Sequence, residues 1–514
     1  MQAEGETNQK AVSGPARWLF VSFASLYLLG LGGHIYTSDG VVMAEVTRSI
    51  VDRGEVSIPH YPIHEGFGNF GQLHEDGSRR YYAKFGLGVS LAAVPTYVLG
   101  GTLAPLAGSG ERGIFAVHRQ RGENGDPANP WRQIRYDVSP ESFESAFATY
   151  VMSWINPLIV AGILALVFAC CIELGHTRGV ALAVASFAGL ATPLLHYSKT
   201  FFSEPLAGLM ITGSFLCLLR GARTRSLWSY LVAGLCLGAA VLTKTAHVIM
   251  LLPVGVCLAW QFKRQPRPVG WREFAASGLG FGVFALVIAL YNYARFGEFT
   301  ETGYGVEVEA WTTPFFEGLG GLLISPGRGL LLYFPGTVLC LWGLTRLWRR
   351  SAPAALFAAL SMALFAVVYA KWYMWEGGWC WGPRFLIPVL PVFLLPVADV
   401  FAGMRKARPA VVVLVCLLVL ASILVSASGV MVNYADYSAS LEAHYGVNYY
   451  DPLRWSWEAS PLVAYWGFES DYFLLKHALG APGLILGLHV LFFIGLLLGL
   501  RGLIRSLRPA PRTP

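Results

Sequence analysis

The sequence predicts an all-α polytopic membrane protein with about twelve transmembrane helices (11–13), joined on one face by extracytoplasmic juxtamembrane helices and loops. Three observations predict it. Of 514 residues, 55% are hydrophobic and only 13% charged, and the mean hydropathy is +0.51. Apolar stretches near the length of a bilayer span, which is roughly 20 residues, recur from residue 17 to residue 503. Between them lie short clusters of Lys and Arg, the pattern of cytoplasmic loops. The net charge of +7 is made of those clusters, so it gives no argument for nucleic acid. Seven of the eight cysteines (170, 171, 217, 236, 257, 340 and 416) sit inside apolar runs. With only Cys380 in a polar connection, neither a disulfide framework nor a metal-type cysteine spacing is present.

Residues 1–16 read as a polar cytoplasmic tail. No small-residue cleavage site follows, so residues 17–35 are expected to be an uncleaved anchor. A transmembrane module covers 17–330, with a first outer loop at 36–142. Further helices cover 331–432 and carry an outer "WEGGWCWGPR" loop. An extracytoplasmic segment spans 433–480, and the last helix with its basic tail spans 481–514. The basic loops at 175–179, 220–225, 261–272, 346–350, 403–409 and 501–512 are assigned to the cytoplasm. The outer turns then fall near 197–204, 243–247, 295–327, 371–384 and 433–480. Parity leaves no crossing for residues 85–107, whose four glycines and two prolines suit a broken or surface-lying segment. The alternative is a thirteenth crossing, which would invert every side assigned downstream.

With that topology the unusual polar residues share one face: Asp39, Glu45, Lys84, Glu204, Lys244, Arg328, Glu376 and Arg384. Charges at the membrane edge are expensive and tend to mark function. Each also has a plainer reading. Ser38 or Asp39 in "YTSDG" could simply cap the amphipathic helix that follows and ends at Gly54. Lys84 in "YYAKFG" is either a headgroup anchor or a cation for a lipid phosphate. Glu204, before Pro205, either complements the dipole of the next helix or faces Asp39 as a second carboxylate, able to orient an acceptor or coordinate a cation. Lys244 in "VLTKTAH" has no acidic neighbour in sequence, which favours an anionic ligand over an anchor. The loop from Arg295 to Leu330 is too rich in aromatics for disorder and offers Tyr304. In "KWYMWEGGWCWGPR", Trp375, Glu376 and Trp379 fit either an interfacial aromatic belt or a surface on which a sugar ring stacks.

Taken in order, these residues resemble the GT-C superfamily of membrane glycosyltransferases, which includes the lipid A aminoarabinose transferases and the protein O-mannosyltransferases. The likeness rests on an acid after the first span (Asp39), an amphipathic helix behind it, and Tyr82-Ala83-Lys84 opening an embedded segment. Glu204-Pro205, "LTK" at 242–244 and a long fourth outer loop complete it. It covers about the first 330 residues. The chain departs from the family at Gly40, Phe85 and Glu204, where many members have an acid, a proline and an Asp. The resemblance implies an inverting transfer of a sugar from a polyprenyl-phosphate donor to an acceptor hydroxyl, on the outer face of a bacterial cytoplasmic membrane. It makes Asp39 the general base with Glu204 beside it, and Lys84, Lys244 and Arg384 the donor-phosphate cations. Glu45, Tyr82, Tyr304, Trp375, Glu376 and Trp379 remain candidate substrate contacts. The acceptor, whether lipid, glycan or protein, is open. No cofactor is assigned with certainty; the carboxylates could hold a divalent cation. The competing readings are a flippase of lipid-linked saccharides, which would need charges through both halves of the bilayer, and a non-catalytic glycan-binding protein.

Overall fold

The structure, a computed structural model, describes residues 2–59, 69–73, 77–107, 142–264, 270–305, 310–446, 450–467 and 483–507. These residues are helical almost throughout. Helix α1 (Gln2–Leu29) leads into α2 (Ser38–Arg53), then strands β1 (Ser57–Ile58), β2 (Asn69–Leu73) and β3 (Arg79–Ala83), then α3 (Gly88–Leu103). The chain continues through α4 (Phe143–Met152), α5 (Ile155–Glu173), α6 (Arg178–Leu190), α7 (Leu194–Tyr197), α8 (Glu204–Thr224) and α9 (Leu227–Thr243). After them come α10 (Leu251–Arg264), α11 (Trp271–Phe296), α12 (Phe315–Ile324), α13 (Leu330–Tyr333), α14 (Thr337–Arg350) and α15 (Ala352–Tyr369). The last part holds α16 (Leu390–Phe393), α17 (Val397–Gly403), α18 (Pro409–Ser428), α19 (Tyr434–Tyr445), α20 (Tyr450–Trp455), α21 (Pro461–Ala464) and α22 (Leu484–Leu507). The strands form one small antiparallel sheet in the order β1-β3-β2.

Among the described residues, seven helices are long and apolar enough to cross a membrane, or eight if the pair Arg384–Phe393 and Val397–Lys406, bent by 47°, is one span. That is fewer than the twelve or so expected, and four further apolar helices are short: Arg178–Leu190, Leu227–Thr243, Thr245–Gln261 and Phe315–Ile324. Helix α6 has 13 residues and α9 has 17; at 1.5 Å per residue α6 reaches only about 20 Å, short of a ~30 Å hydrocarbon core. The segment at 85–107, expected to be broken or surface-lying, is a helix with Pro95 inside it that ends in a 3₁₀ turn at Ala104–Ala107. Residues Gly88–Ala107 form one helical stretch of 20 residues that passes the same criterion. Its glycines serve close packing instead: a Cβ at Gly100 would lie 2.8 Å from Ala148 Cα, and one at Gly88 would lie 2.8 Å from Thr243 Cα.

Glycine also sets the pairing of α9 with α11. A Cβ on Gly234 would sit 1.9 Å from the Ser277 carbonyl oxygen, and one on Gly280 would sit 2.2 Å from that of Leu231. Small residues let backbones approach where lipid supplies no hydrophobic drive between helices. The opposite face of α11 leaves Leu279, Leu286 and Leu290 exposed, as do Leu417 and Leu420 on α18, the pattern of surfaces turned to lipid. Helix α5 ends in Glu173, which pairs with Arg220 and Arg223 at the end of α8. Asp399 pairs with Arg350 at the end of α14. Helix α8 begins, at its other end, with Glu204, so the basic clusters and the candidate site lie at opposite ends of the bundle.

The α9–α11 contact makes a prediction. Gly234→Ala should destabilise the protein by about 1–3 kcal/mol through overpacking, seen as a lowered thermal midpoint in detergent. Gly282→Ala, at a position with nothing within 4 Å, should leave the midpoint unchanged or raised. Equal effects of the two would contradict the packing described.

Candidate active site

The site begins at the turn into α2. Thr37 is the N-cap: it is extended, and its Oγ1 accepts the Gly40 N–H at 3.1 Å. Asp39 therefore does not cap the helix, contrary to one expectation from the sequence. With the cap supplied two residues earlier, its carboxylate is released to reach across the bundle. Gly40 is fixed by space, because a Cβ there would meet Thr37 Oγ1 at 2.8 Å and Phe201 Cβ at 3.2 Å. The bare backbone brings Asp39 against the turn that precedes Glu204.

Four of the sequence candidates converge there. Arg384 Nη2 donates to Asp39 Oδ2 at 2.6 Å, and its Nε donates to Glu204 Oε1 at 2.8 Å. Lys244 Nζ lies 3.6 Å from that same Glu204 oxygen, and Arg384 Nη1 donates to the Gly377 carbonyl at 3.3 Å. Aromatic faces enclose the cations. Arg384 lies 3.9 Å over the Phe202 ring, Lys244 lies 4.5 Å over Phe385, and Phe385 stacks on Tyr369 with centroids 4.2 Å apart. Side-chain exposure is graded: Glu204 1%, Arg384 10%, Lys244 16% and Asp39 22%. The network thus opens along Asp39 and Lys244 and closes over Glu204. Burial pulls the Lys244 ammonium below its ordinary pKa, and Glu204 pulls it back. Two carboxylates balance two cations, which is what lets four charges sit in a shielded place.

Local sequence places each group. Pro205 at the first turn of α8 fixes Glu204 at the helix start. Lys244 ends α9 in an extended conformation (φ −158°, ψ 119°). Arg384 follows a turn in which Gly377, Gly378 and Gly382 all take φ between +69° and +84°, a region that favours glycine.

Lys84 adjoins this network through its backbone. A Cβ at Gly86 would lie 2.1 Å from the Leu242 carbonyl oxygen, so the segment after Lys84 runs against the one before Lys244. The Lys84 ammonium lies 5.6 Å from the Tyr304 ring and 5.8 Å from Phe85. Buried Arg295, missed in the sequence reading, donates to the Ala83 carbonyl and to Asn292 Oδ1 and so pins the end of β3. Its only sequence signal is a charge at the end of a long apolar run.

The other candidates lie elsewhere. Glu45 is buried and bound to Arg48, which also reaches Thr149. Tyr82 is buried in the central strand, opposite Ser57 and Phe70, with its ring edge toward Phe296. Trp375 is fully buried beside Trp455, and Trp379 packs on the cluster around Tyr333 and Trp381. Glu376 Oε2 accepts from Arg454 at 3.0 Å, and burial pushes its carboxyl up while Arg454 opposes. Fully buried Arg328 donates to the carbonyls of Glu376 and Gly378 at 2.8 and 3.0 Å and to the Tyr434 hydroxyl. Among the described residues no group of three or more His, Cys, Asp or Glu side chains is placed to hold a metal ion. Arg384 bridges the two carboxylates.

The model of the dolichyl-phosphate-mannose-protein mannosyltransferase family matches residues 126–296, a stretch that includes Glu204 and Lys244. The chain resembles the GT-C glycosyltransferases, as its motifs led us to expect. No curated protein matches it in sequence. Among solved structures it is similar to ArnT from Cupriavidus metallidurans bound to undecaprenyl phosphate, at 15% identity and a TM-score of 0.48, over 95% of this chain and 76% of that one.

The grading of burial predicts unequal costs. Glu204→Gln leaves Arg384 and Lys244 without their shared buried carboxylate and should cost about 3–5 kcal/mol. Asp39→Asn, at the wet edge, should cost about 1 kcal/mol or less. Thermal unfolding of the two variants side by side checks the order, and the reverse order would contradict it.

Proposed function

We propose that the protein is an inverting glycosyltransferase. It moves a sugar from a polyprenyl-phosphate-linked donor to an acceptor hydroxyl on the extracytoplasmic face of the membrane. The observation that carries this reading is the pairing of a partly exposed carboxylate, Asp39, with a wall of cations held at one end of an apolar bundle. Lys244 and Lys84 lie on adjoining backbones there, with aromatic faces around both. The family match over 126–296 supports the sugar-transfer chemistry.

In this reading the donor phosphate lies against Lys84 and Lys244. Asp39 accepts the proton from the acceptor hydroxyl through Oδ1, which makes no hydrogen bond among the described residues. The acceptor oxygen bonds to the anomeric carbon as the bond from that carbon to the phosphate oxygen breaks. The electron pair stays on the phosphate, and in-line attack inverts the carbon. Cations preorganised in a shielded site stabilise charge that grows only in the transition state. Glu204 is a positioning carboxylate that holds Arg384 and Lys244 in place. The outer segment around α19–α21 and the Trp375–Trp379 turn form the acceptor side, where the sequence has its greatest density of Trp and Tyr.

Purified protein incubated with a panel of labelled polyprenyl-phosphate sugars and membrane-derived acceptors should transfer label or release free sugar from one donor. Asp39→Asn should lower that turnover by about 10²–10⁴-fold with donor binding retained. Turnover near wild type in that variant would remove Asp39 from the chemistry. Movement of intact donor across vesicles without cleavage would favour a flippase.

A further inference from the structure

Arg384 is placed between the group that gains a proton in the proposed reaction and the group that gains negative charge. We propose that Arg384 is handed from Asp39 to the donor phosphate during turnover, so that one guanidinium serves both partners in sequence. This rests on the glycosyl-transfer reading above.

The charge balance of that reaction sets the direction. The acceptor gives its proton to Asp39 Oδ1, and the carboxylate becomes a neutral acid. The donor is a phosphodiester with one negative charge; after the sugar leaves, the polyprenyl phosphate is a monoester with two. The total is unchanged, but one unit of negative charge has moved from Asp39 to the phosphate. A cation bound to Asp39 at 2.6 Å loses its ionic partner at that moment and gains a stronger one nearby.

The geometry allows the transfer without dismantling the site. A guanidinium has five N–H groups, and here Nε, Nη1 and Nη2 each spend one, on Glu204, Gly377 and Asp39. Two N–H groups, one on each terminal nitrogen, remain for a phosphate. The Glu204 bond is the fixed one, since that carboxylate is 1% exposed whereas Asp39 is 22% exposed, and an ion pair weakens as its surroundings become wetter. Lys244 and Arg384 share one Glu204 oxygen, at 3.6 and 2.8 Å, so a phosphate held by Lys244 lies beside the guanidinium. The Phe202 ring 3.9 Å beneath Arg384 blocks movement of the guanidinium toward that face.

The test uses the lipid product alone. Asp39→Asn stands in for the protonated acid, and Asp39→Ser removes the same charge with a smaller side chain. Binding of a polyprenyl monophosphate to the detergent-purified proteins is measured, with the matching polyprenol as the uncharged control. Both variants should bind the monophosphate about tenfold tighter than wild type, the scale of one charge-assisted hydrogen bond, with polyprenol binding unchanged. Adding Arg384→Lys should remove the gain. Equal or weaker binding by both Asp39 variants, or a gain that survives Arg384→Lys, overturns the handover while leaving the donor assignment standing. No monophosphate binding by any of the proteins overturns both.

Discussion

The site depends on the buried carboxylate of Glu204. A carboxylate removed from water is tolerated only with close opposite charge, and Glu204 has two cations on one oxygen. Those cations come from distant parts of the chain, Lys244 from the end of α9 and Arg384 from the turn before α16. Glu204 itself starts α8. One interaction therefore fixes the relative placement of three elements and holds two positive charges where an anion can meet them. Asp39 attaches to this core from a fourth element, through its ion pair with Arg384, and is the most exposed member.

A second charge assembly stabilises the neighbouring wall. Arg328 joins the carbonyls of Glu376 and Gly378 to Tyr434, and Arg454 reaches Glu376 from α20. Gly377, between the two residues that Arg328 holds, offers its own carbonyl to Arg384. Helices α19 and α20 and the site thus meet at one glycine turn. Glu376 and Trp375 are structural pieces of that turn in this conformation, and the exposed Trp457 and Trp466 lie further out on the same segment.

Much of the site was legible in the sequence because charge is so rare there. In a chain with 13% charged residues, the edge positions Asp39, Glu204, Lys244 and Arg384 stood out, and all four meet. Their partners were not legible. Sequence offers no way to know that Arg384 would bridge both carboxylates, because the contact spans 345 residues from Asp39. Nor could it separate Thr37 from Ser38 and Asp39 as the cap, since all three are good capping residues within one turn. Glycines at 88 and 100 were taken as helix breakers when they are packing contacts. The three short strands carry no apolar alternation long enough to read, and Glu45 looks like a site residue until Arg48 is seen beside it.

The most direct measurement of the central claim is an experimental structure with a polyprenyl monophosphate bound. Phosphate oxygens should lie within hydrogen-bond distance of Lys244 and Lys84, with Glu204 still paired to Arg384. A phosphate seated away from both lysines, or a Glu204 that has parted from Arg384 to admit it, would contradict it.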